Sequence, residues 1–301
     1  MTTTPVPQAI VAPLTAQIRG IRGEVDHRAI ASNVTRFYSQ RVANIYLELT
    51  RQFNRDRLRA IISSGQAAVL HRLAIMSKDG DWILREEAET MQHVLAVLAE
   101  HGAHYRFGAP LDERWLAGGW SAHFEFRHEQ LRVRTDFVTR PPRIESAILE
   151  RLWKEVDPQR PVLDPAALAE VKKTNRDKDY AVIGELARLM SDSSQQLLYS
   201  RSARDLLALA QAHPELIEDL SRQRPLLRNI PAGREQLEAA LDAERRSLMR
   251  ANEMRLARYR EAALRWAAAW PALEREIGQM KLAAAHKILL ARALEFLPFA
   301  P

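Results

Sequence analysis

Two aspartates lie one residue apart in the segment SKDGDWIL, at residues 77–84. Residues two apart on a strand point to the same face of a sheet, so Asp79 and Asp81 would present their carboxylates side by side. Gly80 lies between them and is expected to leave room for a large group to approach. An acidic turn is the competing interpretation, because Asp-Gly pairs are common in turns.

A third acidic residue lies in the apolar segment LRVRTDFVT, whose alternation is typical of a strand. The alternation places Arg134, Asp136 and Val138 on one face. If this strand lies beside the first, three carboxylates converge, and two like charges about 4 Å apart repel by roughly 4 kcal/mol at an effective dielectric of about 20. Such a cluster persists by protonation or by binding cations, and hard oxygen ligands select Mg²⁺ or Mn²⁺.

The segment AIISSGQAAVLHR, at residues 60–72, precedes the aspartate pair. It predicts a short strand that passes through Ser63, Ser64 and Gly65 into a helix beginning at Gln66. Glycine lets the backbone come close to a ligand, and the unpaired N–H groups of a helix start can bind phosphate. Taken alone, these residues favour a plain strand-to-helix turn over a phosphate-binding one.

Apolar spacing predicts the elements that must position these residues. A helix is expected at 86–101, and strands near 121–127 and 131–139, joined by the turn HEQ, form a hairpin. Beyond the double proline the pattern is helical, with helices expected at 143–156, 165–174, 178–197, 201–212, 214–222, 232–270 and 272–296. The predicted fold class is α+β, a small mixed sheet with flanking helices, followed by a mostly α-helical C-terminal region.

The same pattern divides the chain into three parts. Residues 1–25 are expected to form a loose N-terminal arm. Residues 26–142 are expected to form an α/β core with a leading helix, and residues 143–301 a helical region.

Composition excludes several classes of protein. The chain has 301 residues and no cysteine, which excludes disulfides, thiolate zinc sites and cysteine nucleophiles. No apolar run approaches the roughly 20 residues that span a bilayer, and the N-terminal stretch lacks the basic and apolar regions of a secretory signal. These features predict a cytoplasmic protein with no membrane partner. A net charge of +6 permits a polyanionic partner such as a nucleotide or RNA.

Taken together, the motifs resemble a known family. A glycine-containing strand–turn–helix, the SKDGD strand and an aspartate on a later strand resemble the nucleotidyltransferase fold of the DNA polymerase β-like superfamily. GQAAVLH followed by SKDGD is similar to the nucleotidyltransferase-like proteins of bacterial abortive-infection toxin–antitoxin systems. The segment LAEVKKTNRDKDYAVIGELARL looks like the helix–turn–helix that follows the core in that group. The resemblance covers residues 58–190.

The resemblance implies a role for individual residues. It assigns metal binding and catalysis to Asp79, Asp81 and Asp136. It assigns nucleotide binding to Gly65, Gln66, Ser77, Lys78, Lys172 and Lys173, with the first two in the triphosphate-binding turn and one of the last two neutralising phosphate charge. Gln66 departs from the family pattern, in which Ser or Gly is frequent at that position.

The function that the resemblance implies is Mg²⁺-dependent transfer of an NMP from an NTP to a hydroxyl on protein, RNA or a small molecule. A toxin or defence role and an antitoxin partner are implied by the resemblance only. Two alternatives stay open. One is a catalytically inactive nucleotidyltransferase-like binding module: the retained Asp79, Asp81 and Asp136 argue against it, but Gln66 leaves room for it. The other is a glycosyltransferase with a DxD motif, although such folds need a longer nucleotide-binding stretch before the aspartates.

Overall fold

The computed structural model describes residues 45–301. The predicted arm at 1–25 and the beginning of the predicted leading helix lie outside these residues. The described part of that helix, α1, runs through residue 53. Three apolar residues that recur along it at helical spacing are buried: Ile45, Leu49 and Phe53.

Five strands form one open sheet with the order β1-β2-β5-β4-β3. Strands β2 and β5 are parallel, and the other neighbours are antiparallel. The bounds are Ala60–Ser63 for β1, Gly80–Leu84 for β2, His104–Tyr105 for β3, Ala122–His128 for β4 and Leu131–Val138 for β5. The predicted mixed sheet is therefore confirmed.

Helices flank the sheet and make up most of the chain after Pro142. Before it lie α2 (Ser64–Leu70), α3 (Ala88–Glu100) and α4 (Glu113–Ala117). After it lie α5 (Ser146–Glu155), α6 (Pro165–Val171), α7 (Asp177–Leu189), α8 (Ser193–Tyr199), α9 (Ala203–Ala212), α10 (Ile217–Gln223), α11 (Arg234–Ala262), α12 (Leu264–Ile277) and α13 (Leu282–Phe296). Two 3₁₀ helices, Pro214–Leu216 and Pro225–Ala232, complete this helical C-terminal region. No helix between residues 45 and 301 is long and apolar enough to cross a membrane.

The single helix predicted at 178–197 is wrong, because the chain forms two helices there. Met190 leaves the helical conformation with ψ of 137°, and this ends α7. Asp192 then accepts a hydrogen bond from the backbone N–H of Ser194 at 2.7 Å and caps α8.

The predicted boundary between 232–270 and 272–296 is also wrong. The first of these helices ends at Ala262, and Pro271 lies inside α12 instead of separating two helices. A proline in a helix interior removes one backbone hydrogen bond. Trp270 and Leu273, on either side of it, are buried, and their packing keeps the helix continuous.

Gly80 belongs to the core packing and does not open the site. A Cβ added there would lie 2.5 Å from Cη2 of Trp82 and 2.6 Å from Cδ1 of Tyr46. The prediction that Gly80 leaves room for a ligand is therefore wrong. The aromatic face continues from Trp82 to Phe137, whose rings stack at 5.4 Å between centroids.

The helical region returns to the sheet after Pro142. The N–H of Ile62 in β1 donates to the carbonyl of Pro161 at 2.8 Å, and the N–H of Leu163 donates back to Ile62 at 2.9 Å. Asp164 then caps α6, which ends next to Lys172.

The apolar core extends from the sheet into the last helices, where Trp266 of α12 and Leu289 of α13 are buried in the same cluster as Phe124. A second, smaller cluster joins the middle helices through Leu206 and Leu227. The division of the chain at residue 142 stays a prediction.

The hydroxyl of Thr50 holds the indole of Trp82, whose Nε1 donates to it at 2.9 Å inside the core. Thr50→Ser and Thr50→Ala differ only by that hydroxyl. We expect the Ala variant to have a free energy of unfolding about 1–3 kcal/mol lower than the Ser variant, because a buried donor loses its partner. Urea denaturation measures the difference, and equal stabilities would contradict the assignment.

Candidate functional site

A row of polar side chains crosses the sheet on the face opposite the aromatic core. Asp81 on β2 pairs in register with Asp136 on β5, and Asp136 pairs with His123 on β4. Residues in register on neighbouring strands point to the same face, so the three side chains are adjacent. Ser63 on β1 continues the row beyond Asp81.

A second row lies two residues away on the same face. Arg134 on β5 pairs with Glu125 on β4, and its Nη1 lies 3.7 Å from Oδ1 of Asp79. The predicted grouping of Arg134 with Asp136 on one face of β5 is confirmed, since Val133 and Phe137 are buried on the other. Asp79, Asp81 and Asp136 therefore share one face of the sheet.

The environment of Asp81 opposes its negative charge. Burial, and then the charges of Asp136 and Asp79, raise the pKa of Asp81 to about 7. The charge of Lys172 and a hydrogen bond from the backbone N–H of Gly65 act in the opposite direction. Near neutral pH this carboxyl therefore exchanges a proton readily, as expected for a carboxylate cluster that must be protonated or bind a cation.

Asp136 has two cationic or polar neighbours that sequence reasoning missed. Nδ1 of His123 lies 2.7 Å from Oδ1 of Asp136, and Nη1 of Arg106 donates to the same oxygen at 3.4 Å. Nε2 of His123 lies 2.7 Å from the hydroxyl of Ser121. Hydroxyl, imidazole and carboxylate thus form one hydrogen-bonded chain, in the order found in nucleophilic-serine sites.

The sequence does hold a signal for His123. Strands β4 and β5 are joined by a two-residue turn at 129–130, so that His128 pairs with Leu131. Counting back from that pair places His123 opposite Asp136. The predicted three-residue turn HEQ was one residue too long, and it would have placed Ala122 there.

The strand–turn–helix contacts the SKDGD segment at Gly65. A Cβ added to Gly65 would lie 2.2 Å from Oγ of Ser77 and 4.0 Å from Oδ2 of Asp81, which leaves no space for a side chain. Gln66 is buried and its Nε2 donates to the carbonyl of Ser77 at 3.5 Å, so its side chain holds the loop. The side chain of Lys78 is exposed, and its carbonyl accepts a hydrogen bond from a core tyrosine.

The two predicted lysines have different neighbours. Lys172 is buried, and its Nζ lies 3.2 Å from Oδ1 of Asp179. Its positive charge partly offsets the rise in the pKa of Asp81. Nζ of Lys173 lies 2.5 Å from Oε1 of Glu170, on the same turn of chain. Lys172 thus pairs with Asp179 and acts on Asp81 through its charge, whereas Lys173 lies in a separate ion pair with Glu170.

Asp179 fixes the position of Lys172. It also accepts hydrogen bonds from Oγ1 of Thr174 at 2.6 Å and from Nε of Arg176 at 2.7 Å. Burial by itself would raise the pKa of Asp179, but the Thr174 hydrogen bond and the charges of Lys172 and Arg176 lower it. A charged, hydrogen-bonded network thus lies behind Lys172.

The donor set of the three aspartates suits a hard divalent cation such as Mg²⁺ or Mn²⁺. Oδ1 of Asp79 is buried without a hydrogen-bond partner, and its nearest cationic neighbour is Nη1 of Arg134 at 3.7 Å. Across the described part of the chain, no group of three or more His, Cys, Asp or Glu side chains is already arranged to hold a metal ion. A cation would have to take over the carboxylate of Asp136 from His123 and Arg106.

The raised pKa of Asp81 predicts a pH-dependent effect of Asp81→Asn. Because the folded-state pKa of about 7 lies above the ordinary value of 3.8, stability falls as pH rises between these values. The Asn variant carries no such charge, so its gain in free energy of unfolding over the native protein should be largest above about pH 7. This gain in the free energy of unfolding should shrink toward about pH 4. Urea denaturation measures it, with a chelator present to keep the site free of metal ions.

Asp219→Asn is the matched control, because the side chain of Asp219 is 82% exposed on α10. This variant should follow the native protein at every pH. A gain for Asp81→Asn that is independent of pH would contradict the raised pKa.

Comparison of the chain with models of known protein families finds no match. Curated proteins and solved structures likewise include no match to it. What the chain does must therefore be argued from the side chains on this face of the sheet.

Proposed function

We propose that the protein is a nucleotidyltransferase that moves an NMP from an NTP to a hydroxyl acceptor with the help of Mg²⁺ or Mn²⁺. The observation that carries the proposal is the placement of Asp81 beside Asp136 on two parallel strands, with Asp79 on the same face. The backbone N–H of Gly65 donates a hydrogen bond to Asp81, so the strand-to-helix turn at Gly65 lies next to the aspartates. The resemblance of these motifs to the DNA polymerase β-like superfamily supports the nucleotidyltransferase fold.

In this proposal the residues of the site would bind the cation, neutralise phosphate charge and accept the proton of the acceptor hydroxyl. Asp79, Asp81 and Asp136 would hold the cation, which when bound neutralises the phosphate oxygens and the departing pyrophosphate. Lys172 would add positive charge beside Asp81, and this kind of transfer depends mainly on positioning and charge neutralisation. His123 lies beside Asp136, and once the cation has taken over that carboxylate its ring would take the proton of the acceptor hydroxyl.

The proposed acceptor is a hydroxyl group, and it is carried by a protein, an RNA or a small molecule. A toxin or defence role in bacteria, an antitoxin partner and a cytoplasmic location rest on the sequence features and the motif resemblance. The inactive-module alternative gains some support from Gln66, whose side chain is used by the loop. A DxD glycosyltransferase is less favoured, because only β1 and α2 lie between α1 and the aspartate strand.

A second candidate function rests on the hydrogen-bonded chain of Ser121, His123 and Asp136. In this chemistry the hydroxyl of Ser121 would attack an acyl group, and the imidazole of His123 would take the proton of that hydroxyl and pass it to the leaving group. Such a reaction needs no divalent cation, so a chelator separates it from nucleotidyl transfer.

Incubation with each α-labelled NTP, Mg²⁺ and a cell extract should move label onto protein or RNA. We expect Asp81→Asn and Asp136→Asn each to lower the transfer rate by about 100-fold or more. Each change removes a carboxylate that would hold the cation, and the cation neutralises the charge that develops in the transition state. A chelator should abolish transfer, and Asp219→Asn should leave it unchanged. NTP binding without transfer would instead favour the inactive module, and transfer that survives in both variants would refute the site.

The lysine assignment predicts different effects for two neighbouring residues. Lys172→Met should weaken binding of Mg²⁺–NTP by about tenfold or more, which corresponds to roughly 1.4 kcal/mol or more. Lys173→Met should change it little, because that side chain is paired with Glu170. Calorimetric titration measures both affinities and thermal melting checks that both variants fold. Equal affinities would remove Lys172 from the site.

A further inference from the structure

A cavity of about 270 Å³ lies between the sheet and helices α11 and α12, apart from the aspartates. Four aromatic side chains contribute to its wall: Phe107, Trp120, Tyr259 and Trp266. Gly119 keeps the wall close, since it has φ of +85° and a Cβ there would lie 2.2 Å from the hydroxyl of Tyr259. Ser121 and His123 also line the cavity.

The polar atoms of three of these rings are already used. Each donates a hydrogen bond to a backbone carbonyl, at 2.9 Å for Trp120, 2.9 Å for Trp266 and 3.0 Å for Tyr259. What these rings offer to a ligand is therefore their apolar surface. A planar apolar group suits such a wall.

Two arginines line the cavity: Arg260 is exposed, whereas Arg255 is half-buried and has an unused donor. Its Nε is buried without a hydrogen-bond partner. Its Nη2 donates to Oδ1 of Asn252 at 3.4 Å, and the same oxygen accepts from Nη2 of Arg143 at 3.3 Å. Among the residues from 45 onward, no carboxylate forms an ion pair with either guanidinium group.

The two arginines form a local excess of positive charge. Burial lowers the pKa of both guanidinium groups, and the charge of Arg255 lowers the pKa of Arg143 further. Tyr180 and Glu170 act in the opposite direction on Arg143, and Tyr259 does so on Arg255. Asn252, which they share, is neutral and buried. An anion on Arg255 would offset this charge through short charge-assisted hydrogen bonds.

We propose that this cavity binds a small aromatic anion, with its oxyanion head group on Arg255 and its ring among the aromatic side chains of the wall. A carboxylate and a phosphate share the chemistry that Arg255 recognises. The ligand would lie next to His123, but none of the contacts that define it involves an aspartate of the proposed transferase site. The cavity shares His123 with the proposed transferase site, but its test measures binding alone and does not require nucleotidyl transfer.

Four probes test the proposal on the native chain: phenyl phosphate, benzoate, neutral benzamide and inorganic phosphate. Calorimetric titration gives the affinities, and quenching of tryptophan fluorescence reports occupation of the cavity. We expect one or both aromatic anions to bind at least about tenfold more tightly than benzamide and than inorganic phosphate, because each of those lacks one half of the recognised ligand. The better of the two anions identifies the head group.

Arg255→Gln should weaken binding of the aromatic anion by about tenfold or more and leave benzamide unchanged. Arg258→Gln is the matched control, because it removes the same charge from an exposed position one turn along α11. Since Arg255→Gln removes a half-buried unpaired charge, it should fold, and the probe series on the native chain decides the question even if it does not. Equal binding of benzamide, no binding of either anion, or equal losses in the two variants would overturn the proposal.

Discussion

The repulsion between Asp81 and Asp136 organises the polar face of the sheet. Parallel neighbouring strands lie about 4.8 Å apart, so two carboxylates in register cannot avoid each other without leaving the strand geometry. Partial burial of Asp81 makes the repulsion stronger than it would be in water, because water no longer screens it fully. Polar and positively charged groups surround the pair and offset this repulsion: His123 and Arg106 contact Asp136, and the charge of Lys172 acts on Asp81.

The opposite face of the sheet makes that arrangement rigid. Trp82 and Phe137 follow the two aspartates by one residue and stack on each other inside the core. Phe53 of α1 packs edge-on against both rings, at 5.3 and 5.6 Å. A shift of one strand against the other would break this aromatic packing and bury charged side chains in its place. The core thus holds in register the two carboxylates that repel each other.

The helical region contributes directly to both sites. Pairing of residues 161–163 with β1 directs α6, which ends next to Lys172, so that the charge of Lys172 acts on Asp81. Farther along, α11 carries Arg255 to the cavity that His123 also lines. His123 is therefore the side chain common to the two places, with one ring nitrogen on Asp136 and the other on Ser121. A change in the position of His123 would therefore alter both its contact with Asp136 and the wall of the cavity.

The sequence by itself determined the local features of this protein. Alternation along residues 131–138 was enough to place Asp136 on the polar face, and apolar spacing was enough to predict the strands and most helices, because both depend on neighbours a few residues away. Only the tertiary structure decided that β5 lies beside β2, that Lys172 and not Lys173 approaches Asp81, and that the space at Gly80 belongs to Tyr46 and Trp82. Arg255 of α11 is the clearest case, since nothing in its local sequence marks it off from the other arginines of that helix. Its place in a cavity lined by residues 107–123, and the contact of Arg143 with the neighbouring Asn252, join segments more than a hundred residues apart, and a local pattern carries no information about such contacts.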